Sequence, residues 1–421
     1  MSASTPTLAI QSGIRANAKP FTLLILVTAF IGATVGLERA VLPLIAKASF
    51  GMVSKSVTLS FLVAFGLTKA AANLFAGHVS ERIGRKRMMI AGWLAGLPVP
   101  LLIMTAPSWG WVVFANVLLG INQGLCWSSA LIMMVDVAGP RRRGMAIGIN
   151  EFSGYIGVSL SALMTGYLAS HYGLRAAPFL PGIGFALTGL ALSFRVGDTR
   201  AHARREHGGS GESPPFSRIL ALTLWKQRTL FSASQAGMVN KMNDGMIWGL
   251  LPIFWSGAGM TVAQIGAAAA TYPAMWGICQ LATGALSDRW GRKWMIAAGM
   301  WLQTAGIVLF LQRGGFGVAV AGAAAAGFGT ALVYPTLLAT ISDAARPEWR
   351  ASALGVYRMW RDAGYAVSGL IAGALADRVG IPATIGAAAA LTLASGVVVA
   401  MAMEETRPRH GETVQNLPGD P

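Results

Sequence analysis

Nine ionisable side chains lie inside long apolar stretches of this chain: Glu38, Arg39, Lys69, Glu151, Lys241, Asp244, Arg358, Arg361 and Asp362. A charge surrounded by hydrocarbon is costly, so such groups face a cavity or one another, and the chemistry open to them is holding a polar solute or carrying a proton. Five are positive and four negative, a near-balance that implies pairing across helices with little charge left over. Lys241 and Asp244, three residues apart, meet on one helix face; Arg358 meets Arg361 and Asp362 at three and four, which makes Arg358 and Asp362 a ready intrahelical pair. Glu38 and Arg39 are neighbours in sequence and point in different directions. Asn240 and Asn243 add neutral hydrogen-bonding groups. The substrate-binding or gating candidates are therefore Lys69, Arg358, Arg361, Asn240 and Asn243, and the proton-coupling candidates are Glu38, Glu151, Asp244 and Asp362.

Nothing in the chain points to covalent chemistry. Its five histidines are scattered without pairing, and Cys126 and Cys279 lie in apolar stretches with no metal-ligand spacing. Nucleophile-elbow, metalloprotease, phosphate-loop and dinucleotide fingerprints are absent, so neither an enzyme nor a cofactor nor a metal site is expected. The glycine-rich pieces sit in apolar helices, where small residues let helices approach closely.

The surroundings are those of a bilayer. Charged residues are 12% of 421, against the roughly 25% usual for a soluble globular protein, and residues 88 to 135 carry no charge at all. Apolar runs and their punctuation give twelve spans, over residues 21–45, 56–79, 88–106, 109–135, 144–169, 176–195, 228–255, 261–286, 294–311, 315–341, 350–376 and 380–403. The polar N-terminus lacks the short apolar core and cleavage site of a secretory signal, so the first span is expected to stay. Of the 33 Lys and Arg residues, 23 fall on one side of the spans, five on the other (Lys47, Lys55, Arg175, Arg313 and Arg378) and five within them. Positively charged loops resist translocation, which places both termini in the cytoplasm of a multi-pass inner-membrane protein. The net charge of +16 then belongs to loops facing anionic headgroups and requires no nucleic acid. The expected organisation is a tail over 1–20, a six-helix bundle over 21–195, a flexible linker over 196–227, a second bundle over 228–403 and a tail over 404–421.

The two bundles read as copies. Residues 77 to 89, GHVSERIGRKRMM, lie 207 positions before GALSDRWGRKWMI, and at the same offset the stretch from Asp136 lies over that from Asp343 without a gap. An even number of helices per copy gives both the same orientation, as parallel repeats about an axis along the membrane normal. At equivalent positions Glu151 meets Arg358, and Lys69 meets Trp276, which joins the gating candidates. On these residues the sequence resembles the major facilitator superfamily over about residues 20 to 404. Its loop motif G-x-x-x-[DE]-R-x-G-R-[KR] is matched after span 2 by Gly77, Glu81, Arg82, Gly84, Arg85 and Lys86, and after span 8 by Gly284, Asp288, Arg289, Gly291, Arg292 and Lys293. The resemblance implies an all-α membrane protein of twelve helices in two six-helix bundles. It also implies monomeric function and a conformational latch at the motif, with the intramembrane charges where spans 1, 2, 5, 7, 8 and 11 approach the bundle interface. Glycines 77 and 284 read as sites of close helix contact, and glycines 84 and 291 as tight reversals.

The same resemblance carries departures. Drug antiporters of the superfamily place an arginine in span 4 where this chain has Asn116, and a Gly-Pro phrase in span 5 that is missing here. The leading expectation is secondary active transport of a small polar solute, anionic or zwitterionic, coupled to protons, with the bilayer as the other partner. Drug efflux by proton antiport is the alternative, and a membrane sensor or assembly component that lost transport is the alternative of another class. Tryptophan and methionine, 13 and 19 residues, read as packing and interfacial anchors. If the latch reading holds, Glu81→Ala disturbs the transport cycle while membrane insertion, followed by surface labelling, stays intact; unchanged transport would count against it.

Overall fold

The computed structural model describes residues 13–139, 142–199, 214–312, 314–346 and 348–406, without the side chains of 77–82, 143, 285 and 288. Among these residues the chain is helical throughout. Span 1 is Ala18–Arg39 continued by Leu42–Phe50, span 2 is Lys55–Thr58 with Ser60–Ile83, and span 3 is Arg85–Gly96 with Val99–Thr105. Spans 4, 5 and 6 are Trp109–Ala138, Arg143–Tyr172 and Leu180–Arg195. Span 7 is Arg228–Gly249 continued by Leu251–Gly257, and spans 8 to 12 are Val262–Trp290, Arg292–Phe310, Gly315–Ala344, Arg350–Val379 and Ile381–Ala402.

Eight of these segments are long and apolar enough to cross a membrane. The remaining four, spans 5, 7, 8 and 11, carry six of the nine intramembrane charges and both candidate amides, and three of them, spans 5, 8 and 11, make the main contacts between the bundles. A helix covered by protein has no need to be apolar all round. Within the first bundle, span 1 packs on 5 and 6, and span 4 on 2 and 3; within the second, span 7 packs on 11 and 12, and span 10 on 8 and 9. Between bundles, span 5 packs on 8 and span 2 on 11, two contacts that the repeat's twofold exchanges.

Small residues make these contacts possible. A Cβ built on Gly166 of span 5 would stand 2.6 Å from the Cα of Gly266 on span 8, and one on Gly66 would stand 2.4 Å from the backbone N of Ala366 on span 11. Toward the loop between spans 1 and 2, Gly369 and Gly373 receive the backbone of residues 55 to 63 in the same way. There Asp377, at the end of span 11, accepts hydrogen bonds from the Ser54 hydroxyl (2.7 Å) and from the backbone N–H groups of Lys55 (2.5 Å) and Ser56 (2.9 Å). The N-terminus of a helix in one bundle is thus capped by a carboxylate of the other.

Spans 1 and 7 each break in their second half, at Ala40–Val41 and at Leu250, ahead of Pro43 and Pro252. Proline at the first turn of the resuming segment needs no N–H partner but cannot continue the preceding helix. The linker expected over 196–227 is flexible in composition, yet Phe216–Ala221 is helical and runs into a π-turn over Leu222–Lys226. Ile219, Leu222 and Leu224 supply the reason: Ile219 and Leu224 are buried and Leu222 packs on the second bundle's apolar cluster. Residues 200–213, the middle of that linker, lie outside the described residues.

Gly166→Val would force spans 5 and 8 apart, at a cost of about 1–3 kcal/mol for an overpacked contact. It should speed maleimide labelling of a cysteine placed at Ser159, whose hydroxyl now donates to the Ala270 carbonyl across the interface; unchanged labelling would mean that this contact does not hold the bundles together.

Candidate functional site

Midway along the spans the bundle interface holds a layer of buried charge arranged as two clamps. In the first, Asp244 of span 7 accepts from both terminal nitrogens of Arg39 on span 1, at 2.5 and 3.2 Å. Lys241, one turn before Asp244, donates to its Oδ2 at 2.9 Å, and the Tyr365 hydroxyl of span 11 donates to the same oxygen at 2.5 Å. All four side chains are buried. The helix periodicity brings Lys241 and Asp244 together, whereas Arg39 arrives from the other bundle because span 1 stops at that residue. A bidentate guanidinium–carboxylate pair is the strongest ion pair available to the chain, and here it crosses the interface.

The second clamp has the same composition. Asp362 of span 11 accepts from Arg361 at 2.9 Å and lies 3.8 Å from Lys69 of span 2. Asn73, one turn beyond Lys69, donates to Asp362 at 2.6 Å, and Ser128 donates to Asn73 at 2.8 Å. The partner of Asp362 is its neighbour Arg361, not Arg358 as the four-residue spacing implied. Arg358 is half-buried one turn away, toward the face that carries the termini.

Aromatic faces line the cations of both clamps. Arg39 lies 5.2 Å from the Trp248 ring centroid, Lys241 4.8 Å from Trp276 and 4.7 Å from Tyr365, Lys69 5.7 Å from Trp127 and Arg361 4.0 Å from Tyr334. Such contacts stabilise a desolvated cation by about 2 kcal/mol. The tryptophans expected to serve as packing and anchors are thus, at positions 127, 248 and 276, part of the charged layer. Tyr155 of span 5 stacks on Trp276 of span 8 with centroids 3.6 Å apart, and Phe61 and Phe65 of span 2 meet Trp248 of span 7 edge to face. These rings shut the layer off from the face opposite the termini.

Four candidates sit outside the two clamps. Asn240 and Asn243 turn into the second bundle, where both donate to Gln303 and where Thr330 and Thr392 complete the network. Glu151 accepts from the Trp127 indole at 2.8 Å and from Asn150 at 3.4 Å, and no ion pair joins it to Arg358. Glu38 points into the first bundle, against Gly96, Val99, Pro100, Ile103 and Phe179, with Asn116 as a polar neighbour. Its side chain is buried, and neither of its oxygens has a hydrogen-bond partner among the described residues.

At the termini face, Gly84 and Gly291 have φ of 100° and 95°, the left-handed reversal expected of them. The surroundings of Gly77 and the side chains of Glu81, Arg82 and Asp288 lie outside what the structure describes. Among the described residues nothing lies within 4 Å of a Cβ built on Gly284, so the close helix contact expected there is not made by any of them. Arg85 pairs with Asp136 at the end of span 4, and Arg292 pairs at 2.5 Å with Asp343 at the end of span 10. Glu405, just past span 12, accepts from the backbone N–H groups of Arg292 and Lys293. The two pairs occupy equivalent positions in the repeats, and each stays within its own bundle. Lys86 donates to the Phe194 carbonyl, and Arg289 is exposed.

Comparison with known proteins places this geometry. The family model of the Major Facilitator Superfamily matches residues 24–240 and again 233–417. The chain belongs to that superfamily. It is 24% identical over 394 residues to an uncharacterized MFS-type transporter of Salmonella typhimurium (strain LT2), covering 88% of this chain and 93% of that one. A shorter match, 33% over 123 residues and 29% of this chain, is to the multidrug resistance protein MdtG of Salmonella choleraesuis (strain SC-B67). Among solved structures, a bacterial homolog of the human lysosomal transporter Spinster, inward-facing and unoccupied, superposes with a TM-score of 0.72 at 15% identity over 95% of this chain and 98% of that one. This chain is therefore an MFS transporter, a multi-pass membrane protein and not an enzyme.

In this transporter the sequence reading missed Tyr334, Tyr365, Trp127, Trp248 and Asn73. Helical spacing held a signal for some of them: Asn73 lies four residues after Lys69, and Tyr365 lies three after Asp362. Removing one partner of a buried clamp strands the others, so Asp244→Asn should lower stability by about 3–5 kcal/mol in thermal or denaturant unfolding. Replacing Arg39 and Lys241 by Met together with Asp244→Leu should recover much of that loss; a single substitution that costs nothing would show the clamp to be dispensable.

Proposed function

We propose that this MFS transporter is a secondary transporter of a small organic anion, driven by protons through alternating access. The observation that carries the reading is the Arg361 guanidinium. Its Nε and Nη2 are buried and have no hydrogen-bond partner among the described residues, while Nη1 alone serves Asp362. Those two N–H groups lie side by side on one edge of the planar fork, the edge that receives a carboxylate or phosphate in bidentate fashion. Nearby the Trp276 indole N–H and the Tyr357 hydroxyl are also buried without partners. A pocket with surplus donors suits a ligand that brings acceptors.

The structure's closed end supports the cycle. Contacts between bundles run from the clamps to the face opposite the termini, where Asp377 caps the start of span 2. Rocking of one bundle on the other would part spans 2 and 11, and 5 and 8, and admit the site to that face. The loop motif, with its Arg85–Asp136 and Arg292–Asp343 pairs, is the device at the other face, and the excess of basic loops there makes it the cytoplasmic one.

Proton coupling falls to Glu38. Asp244 and Asp362 are each held by two cations and Glu151 by two neutral donors, so protonating any of them disrupts bonds already made. Glu38 can change charge without breaking an ion pair, and its neighbour in the chain, Arg39, closes the first clamp. A carboxyl group in that position couples protonation to the interface through a single peptide link. The partial likeness to a multidrug resistance protein keeps efflux in view, but Asn116 stands where drug antiporters of the family carry arginine, and the clamps favour an anion.

In proteoliposomes of purified protein, Arg361→Lys should slow uptake of organic anions about tenfold or more, because an ammonium lacks the paired donors. Glu38→Gln should keep counterflow exchange and lose acceleration by an imposed pH gradient. Exchange and gradient response both intact in Glu38→Gln would remove Glu38 from the coupling, and an uptake unaffected by Arg361→Lys would remove the anion site.

A further inference from the structure

We infer that the transported anion is a dianion, a short dicarboxylate or a compound with equivalent charge and spacing; this rests on the anion-transport reading above and sharpens it. The argument is one of charge. Each clamp sets two cations on a single carboxylate: Arg39 and Lys241 on Asp244, Lys69 and Arg361 on Asp362. Each therefore keeps one positive charge uncompensated. Arg358 and Glu151 complete the layer, and their charges cancel in the sum although they do not bond. Glu38, the fourth intramembrane acid, faces apolar side chains of spans 1, 3 and 6 inside the first bundle and carries no charge against the layer while it holds its proton. While both lysines and Glu38 hold their protons, the interface thus has a surplus of two positive charges in a region where five of the six clamp residues are at most 4% exposed.

A surplus of that kind is tolerated in the unliganded protein because the cations lie over ring faces, which attract them without neutralising them. It also selects. A ligand with two negative charges discharges the layer completely, one with a single charge leaves a buried cation unmatched, and a neutral ligand leaves two. The clamps adjoin, since Lys69 and Lys241 both lie over the Tyr365 ring, at 5.6 and 4.7 Å. One anionic group then sits on the open edge of Arg361, and the second lies within reach of Lys69 or of Arg358, one helical turn from Arg361 on the same face. That spacing fits carboxylates separated by about one to three carbons.

The test compares molecules of matched shape and different charge. Purified full-length protein in lipid nanodiscs is titrated with succinate, succinamate and succinamide, and with malonate, glutarate and their monoamides, while the thermal unfolding midpoint is followed. The dianion of at least one length should bind about tenfold or more tightly than its own monoamide, a difference of about 1.4 kcal/mol, and succinamide should have no effect. Lys69→Gln, or Arg358→Gln at the less buried position, removes one surplus charge and should bring the dianion-to-monoamide ratio near unity. Monoamides that bind as tightly as the diacids in the unaltered protein would overturn the dianion and leave anion transport standing. If no diacid or monoamide shifts the midpoint, both readings fall together. A ratio unchanged in both variants would overturn the charge tally as its cause.

Discussion

The rest of this structure depends on the cost of burying charge. An ion moved from water to a protein interior loses several kcal/mol even after relaxation, and recovers it only from a partner placed with good geometry. Here eight of nine intramembrane ionisable groups lie in one layer, and the two carboxylates best able to offset cations each serve a pair of them. Arg39 and Lys69 belong to the first bundle, Asp244 and Asp362 to the second. Neither bundle could keep its own charges in a bilayer alone, so the electrostatics holds together what the small interfacial residues allow to approach. The four spans too polar to qualify as membrane helices are the expected result of such a layer.

Packing and charge act at different depths. Toward the face opposite the termini the bundles approach closely at Gly66, Gly166, Gly266, Gly369 and Gly373, where the backbone of one bundle comes within about 3 Å of a built Cβ on the other. Contacts of this type carry many small dispersion terms and little directionality, so they can part and re-form as a body. The aromatic layer of Trp248, Phe61, Phe65 and Tyr365 lies just beneath and keeps water from the first clamp. A change in charge at the clamps acts on an interface whose outer part is held by close packing and by a few hydrogen bonds, those of Asp377 and Ser159 among them.

Much of the fold was legible because membrane insertion imposes strong patterns: apolar length, the asymmetry of Lys and Arg, and a repeat with a fixed offset. The site was legible only in part. Sequence spacing brings Lys241 to Asp244, but it cannot show that Arg39 crosses from the other bundle to complete the clamp, since that depends on where span 1 breaks. It also suggested Arg358 as the partner of Asp362, because spacing along a helix says nothing about which rotamers the neighbours Tyr334 and Asn73 favour. Asn240 and Asn243 looked like substrate groups because polarity in a span is conspicuous, yet an amide buried within one bundle is satisfied by another amide, here Gln303. The aromatic positions carried no charge signal of their own; their role follows from the cations laid over them.

The repeat explains why the layer is asymmetric. Under the offset that superposes the copies, Lys69 replaces Trp276, and Trp127 replaces Tyr334. In the first bundle this pair is a cation over an indole, 5.7 Å to the centroid; in the second it is an indole edge-on to a phenol, 5.6 Å between centroids. Likewise Tyr155 occupies the position of Asp362, and Glu151 that of Arg358. The duplicated scaffold kept the same depths and packing partners while its polar groups diverged, so cations from the two halves converge on acids that only the second half supplies. A symmetric layer would instead have set each charge opposite a twin of the same sign, since a twofold copies a charge and does not neutralise it. The divergence of the copies at these positions lets each clamp join one cation from each half on an acid of the second.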